Sequence, residues 1–147
     1  MTITMELLKQ DGHLPAFALP DAQTGHSVVY ASFLRKHRLV VFALDYAGEM
    51  WFQNATRHAR EFAERDMVVL AVTKRADKPG ALPGGFHVLR DADGAVLARL
   101  GGPPAFYLVG KDSGIKIASR AYPSLGKLFG TIDAMPMRAA EKRERGG

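Results

Sequence analysis

The chain has 147 residues, with 20 Lys plus Arg against 15 Asp plus Glu, a net charge of +5, 47% hydrophobic residues and no cysteine. Length and composition fit one domain that buries about two thirds of its unfolded surface, and they exclude disordered, collagen-like and fibrous classes. Without Cys there is no disulfide, no Cys-ligated zinc, no iron–sulfur cluster and no thiol nucleophile, which closes most of the redox chemistry a side chain performs.

The first fifteen residues lack a basic region followed by an apolar one, and the longest apolar runs, 39–44 and 67–72, are too short to span a bilayer. A soluble, cytoplasmic chain with no membrane partner is expected. The last ten residues hold Arg138, Lys142, Arg143 and Arg145 against Glu141 and Glu144, so +2 of the charge sits in the tail and +3 in the body. Basic clusters at 35–38 and 74–78 carry no interleaved aromatics and no nucleic-acid motif, so they read as solvated loops.

In chain order, residues 17–19 and 27–30 flank the turn-rich Pro20-Asp21-Ala22-Gln23-Thr24-Gly25, which predicts an N-terminal β-hairpin followed by a short helix over 31–36. Residues 38–44 form a nearly unbroken apolar run, the pattern of a central strand covered on both faces. From 49 to 64 the period changes: Trp51, Ala55, Ala59 and Phe62 share one helical face, with Gln53, Asn54, Arg57, Arg60, Glu61 and Glu64 opposite. Residues 67–73 repeat the buried-strand pattern, giving a βαβ unit with a parallel pair.

Pro79, Gly80, Pro83, Gly84 and Gly85 make 74–85 irregular before an extended piece at 86–89, a turn at 91–94 and a short helix over 95–100 ended by Gly101-Gly102. Strands at 105–109 and 115–119 flank Gly110-Lys111-Asp112-Ser113-Gly114, a hairpin signal. A last helix opens at Pro123 or Ser124, carries Leu125, Leu128, Phe129 and Ile132 on its apolar stripe, and ends at Pro136. The organisation is one domain over 1–138 and a charged, flexible tail over 139–147.

Three stretches resemble peroxiredoxin-type redoxins of the thioredoxin-like superfamily. They are His13-Leu14-Pro15-Ala16-Phe17-Ala18-Leu19-Pro20-Asp21 through Gly25, then Arg38-Leu39-Val40-Val41-Phe42, then Val88-Leu89-Arg90-Asp91-Ala92-Asp93-Gly94 with Leu100-Gly101. The resemblance implies an α/β fold: a three-layer α/β/α thioredoxin-like domain with a central mixed sheet and an N-terminal β-hairpin. In those proteins a thiolate in the first turn after the central strand reduces peroxide, its pKa lowered by the helix dipole. That place falls at Met50 or Trp51, and the assisting Thr and Arg fall at Gly48 and Pro104, so no catalytic residue is expected. Met50 itself reads as gap-filling core and Trp51 as an anchor between helix and sheet. The resemblance also implies a cis-proline before the late strand, with Pro103 the candidate; the alternative is that Pro103 and Pro104 simply stiffen a loop.

A second resemblance rests on Gly110-Lys111-Asp112-Ser113-Gly114-Ile115-Lys116, on Leu128-Phe129, on Ile132-Asp133-Ala134-Met135-Pro136-Met137-Arg138 with Glu141, and on Glu64-Arg65-Asp66-Met67-Val68-Val69. It is similar to the uncharacterised thioredoxin-like domain shared by bacterial proteins and by animal matrix proteins such as Equarin and the sushi-repeat proteins, which implies a redoxin-like fold used without an established reaction. Residues 133–138 support two readings. Either this is a helix end where Asp133 accepts donors or pairs with Arg138 while Met135 and Met137 flank Pro136 and pin the tail, or Met135, Met137 and Arg138 form an exposed docking patch.

His58 and Glu61 share a helix face without a third ligand, so no metal is expected, and Gly80 to Gly85 lack the Lys and Ser/Thr of a phosphate loop. The sequence therefore points to a binding or scaffold module without cofactor, acting around Pro103 and Pro104 or the tail. Its partner would be another protein or a second copy of the chain, and not nucleic acid. The alternative is an atypical oxidoreductase working through a cofactor, a metal or a partner's thiol.

Overall fold

The computed structural model describes residues 6–75 and 77–144. Strands β1 (Ala18–Pro20) and β2 (Ser27–Val29) pair antiparallel as the N-terminal hairpin. The expected helix over 31–36 is a single 3-10 turn, Tyr30–Phe33, ended where Leu34 turns extended (φ −60°, ψ 141°), with Arg35 beyond it in the left-handed region. Next come β3 (Arg38–Ala43), α1 (Tyr46–Thr56), α2 (Ala59–Glu64) and β4 (Met67–Thr73). After the irregular stretch follow β5 (Phe86–Arg90), α3 (Ala95–Arg99), β6 (Phe106–Val109), β7 (Ile115–Ser119), α4 (Leu125–Asp133) and α5 (Pro136–Glu144).

The five-stranded sheet runs β5-β4-β3-β6-β7, with β3 parallel to β4, β4 parallel to β5, and β6 and β7 antiparallel. It is a mixed sheet with β3 at its centre. Every residue of β3 and β4 is buried, as their continuous apolar runs demand of strands covered on both faces. Alternation then divides the core. Leu39, Val41 and Ala43 pack with Leu70, Tyr107, Val96 of α3 and Phe17 beside the hairpin. Val40 and Phe42 face the opposite way, onto Trp51, Phe62, Leu128 and Ile132 of the helices. The result is an α/β fold in three layers.

Two expectations are corrected. The amphipathic segment over 49–64 is two helices, because the ladder tightens to i→i−3 bonds where Arg57 N–H meets Asn54 O and His58 N–H meets Ala55 O. Its apolar face survives the break: Trp51, Ala55 and Phe62 are buried and Ala59 packs against them. Near the C-terminus, α4 does stop before Pro136, but Pro136 is also the first residue of α5, where its fixed φ suits a helix start. Residues 139–144, read from sequence as the beginning of a tail, are therefore helical.

Candidate functional site

The C-terminal ends of β3 and β4, the start of α1 and the loop before β6 surround a cleft of about 360 Å³, whose lining includes Asp45, Tyr46, Glu49, Thr73 and Pro103. Asp45 creates the helix start: its backbone is extended, and its Oδ1 accepts the Gly48 N–H at 2.7 Å. The Tyr122 hydroxyl lies 2.8 Å from Ala43 O and 3.0 Å from Asp45 Oδ1, donating to one acceptor at a time. Burial first, then the Asp45 carboxylate, push the Tyr122 phenol well above its ordinary pKa, so it stays a donor. Glu49 is paired with Arg75 across the cleft. The polar groups at the start of α1 are thus engaged in holding the corner together.

Of the two residues that the redoxin resemblance sets at the thiol position, Trp51 is 8% exposed, donates its Nε1–H to Pro123 O at 2.8 Å and packs edge-on against Phe42 and Phe106. Met50 is a correction. It is 63% exposed and fills no core gap. The buried face of α1 is Gly48, Trp51, Phe52 and Ala55, and Met50, one position before Trp51, turns about 100° away from it. One turn earlier on the same outward face stands Tyr46, 81% exposed. Sequence reading missed Tyr46, although its offset from the Trp51–Ala55 stripe was the available signal.

The cis bond lies between Pro103 and Pro104, so Pro104 and not Pro103 is the cis residue. Both prolines are exposed. The loop is held from two sides: Arg120 Nη1 sits 2.7–3.0 Å from the carbonyls of Gly101, Gly102 and Pro104, and Ala105 O accepts the Ala43 N–H.

The C-terminal run lies elsewhere, around the N-terminal end of β3. Arg138 is 1% exposed, which removes it from any surface patch. Its Nη1 donates to Glu64 O at 2.9 Å, and its Nε is 3.4 Å from Asp133 Oδ1. Asp133 takes a two-point pair from Arg65, 3.0 and 2.9 Å, while the Arg65 guanidinium stacks 4.4 Å from the Phe129 ring centre. Glu141 receives Arg38 through both Nη atoms and Lys111 through Nζ. Met135 is half-buried against the helix-side core, Pro136 is exposed and Met137 is 49% exposed. Asp133 and Arg138 therefore work as internal ties. Arg38, grouped in the sequence with a basic cluster expected to be a solvated loop, is instead 1% exposed as the first residue of an all-buried strand, and its place at the head of that apolar run was the signal.

His58 Nδ1 and Glu61 Oε1 form an exposed pair at 3.1 Å, and among the described residues no group of three or more His, Asp or Glu side chains could hold a metal ion. Nor is any helix among them long and apolar enough to cross a membrane.

A mixed sheet between helical layers, an N-terminal hairpin and a helix start facing a cis-proline loop define the thioredoxin-like fold of peroxiredoxin type. The chain is similar in structure to the reduced 2-Cys peroxiredoxin of Plasmodium vivax, with a TM-score of 0.73 and 14% identity over 92% of this chain and 84% of that one. Peroxidoxin BcpB of Mycobacterium tuberculosis gives 0.71 and 20% over 87% and 98%. A putative thioredoxin from Neisseria meningitidis gives 0.64 and 24% over 92% and 94%. By sequence the chain belongs to the family described as Domain of unknown function (DUF4174), whose model matches residues 30–141. No curated protein matches it.

Proposed function

We propose that this protein is a non-catalytic binding module that docks another protein through the corner where related folds keep their thiol. The observation that carries the reading is the pair Tyr46 and Met50. Among the described residues the exposed large hydrophobics are Val29, Tyr46, Met50 and Met137, and two of these four stand one turn apart on α1. Tyr46 also lines the cleft shared with Pro103. Exposed aromatic and Met side chains beside a slot suit an apolar anchor from a partner, and Tyr and Met are enriched at interfaces. The chain has no cysteine to turn over peroxide or disulfide.

The test is affinity capture on immobilised protein with lysate of the native cell. The wild type and Met137→Lys should retain the same partner, and the double variant Tyr46→Ala, Met50→Lys should lose it. Repeated consumption of hydrogen peroxide or of a disulfide by the purified chain would overturn the reading in favour of an oxidoreductase.

A further inference from the structure

The outer face of α1 carries a pattern that runs past the Tyr46–Met50 pair. Each residue advances about 100° around the helix, so Tyr46, Met50, Gln53 and Arg57 fall on one stripe, on the side opposite Gly48, Trp51 and Ala55. All four are exposed. Arg57, the C-cap, keeps right-handed helical backbone, so its side chain stays in line with the other three.

The spacing reads the same from both ends: four residues from Tyr46 to Met50, three to Gln53 and four to Arg57. A stripe of that symmetry is its own complement. Laid antiparallel on a second copy, about a two-fold axis between Met50 and Gln53, it sets each Tyr46 ring against the other copy's Arg57 and each Met50 against the other copy's Gln53. The two Met50 side chains then lie about 4.5 Å apart along the helix direction and meet across the axis. Charge selects this direction. Asp45 and Glu49 stand at one end of α1, with Lys74 and Arg75 on the cleft side and Arg75 paired to Glu49. Arg57 and Arg60, both exposed, stand at the other end, and Arg57 has no ion-pair partner among the described residues. The antiparallel arrangement carries Arg57 to an aromatic face beside carboxylates, whereas a parallel one stacks Arg57 on Arg57.

We propose that α1 closes on a second copy of this chain as a weak, two-fold antiparallel dimer. A helix of 11 residues is about 16 Å long, so the contact falls below the ~1,200 Å² of standard interfaces, and the dimer forms with a dissociation constant on the order of 10–1,000 µM. The dimer stands independently of the docking reading. Where it meets that reading, the second copy covers Tyr46 and Met50 and a tighter-binding partner displaces it, a consequence that rests on the corner being the docking face.

Sedimentation velocity of the purified chain, over a concentration series reaching about 1 mM, tests this with no other protein present, so its outcome does not depend on docking. A reversible monomer–dimer equilibrium is expected. Met50→Lys and Met50→Glu, at a position 63% exposed and outside the core, should each weaken it at least tenfold by bringing like charges together at the axis. Mixing equal amounts of the two variants should restore dimer as the mixed pair, and Met137→Lys should leave the wild-type equilibrium unchanged. A chain monomeric throughout would overturn the proposal and leave the face to a different protein. A dimer indifferent to Met50→Lys, or a mixture no more dimeric than its components, would overturn it as well.

Discussion

Glu141 on α5 accepts hydrogen bonds from both Nη atoms of Arg38, the first residue of the central strand, at 3.0 and 3.1 Å, across 103 positions of sequence. Through this contact the last helix closes over one end of the sheet, and Lys111 of the β6–β7 hairpin joins it at 2.6 Å.

Removing Glu141 leaves the buried Arg38 guanidinium without its counter-charge. Glu141→Ala is therefore expected to destabilise the fold by about 3 kcal/mol, the scale for breaking a buried pair. Urea unfolding measures it. A loss under about 0.5 kcal/mol, the scale of an exposed pair, would show that the contact does not hold α5.

The same carboxylates give the fold an acid limit. Burial pushes Glu141 up, but the Arg38 and Lys111 hydrogen bonds and charges outweigh it and hold the carboxyl below its ordinary 4.5. Arg65 holds Asp133 below 3.8 in the same way. The unfolded chain thus binds more protons than the folded one in this range, so the stabilisation is present above these values and is lost as pH falls through the lower folded ones. The stability difference between wild type and Glu141→Gln should be flat above about pH 5 and shrink below it. A difference that grows on acidification would reverse the sign of the argument.

Three helical glycines separate helix propensity from local space. At Gly126 and Gly130 of α4 an added Cβ meets nothing within 4 Å, so each Gly→Ala is expected to stabilise by up to about 1 kcal/mol. At Gly48 of α1 the same Cβ would sit 2.9 Å from Ala43 O and 3.0 Å from the Tyr122 hydroxyl. Backbone cannot yield cheaply, so Gly48→Ala should destabilise despite its better propensity. Thermal denaturation of the three variants gives the signs, and a stabilised Gly48→Ala would mean the corner is looser than these distances indicate.

Tyr122→Phe removes the hydroxyl shared by Ala43 O and Asp45 Oδ1 and keeps the ring against Phe42 and Phe106. About 1–2 kcal/mol should be lost, the cost of leaving part-buried acceptors unmet. Denaturant unfolding with an unchanged m-value checks it; a neutral result would show that water replaces the hydroxyl fully.

Periodicity made the sheet legible. Continuous apolar runs gave β3 and β4, and the Gly110–Gly114 turn gave the β6–β7 hairpin. The site was less so. Methionine's frequency in cores points Met50 inward, whereas the Trp51–Ala55 stripe places it on the outer face of α1. A proline after a helical stripe signals an ending, but at Pro136 it is equally the first residue of α5. The Arg38–Glu141 pair was invisible for a different reason: a long-range ion pair leaves no local period, and only the fold brings position 38 to position 141.

Site-specific photo-crosslinking at Met50 in the native cell addresses the docking corner most directly, with the same crosslinker at Met137 as reference. A discrete covalent adduct with another protein at Met50, absent at Met137 and absent when Tyr46 is also replaced by Ala, is the predicted result. No adduct at Met50, or identical adducts at both positions, would contradict it.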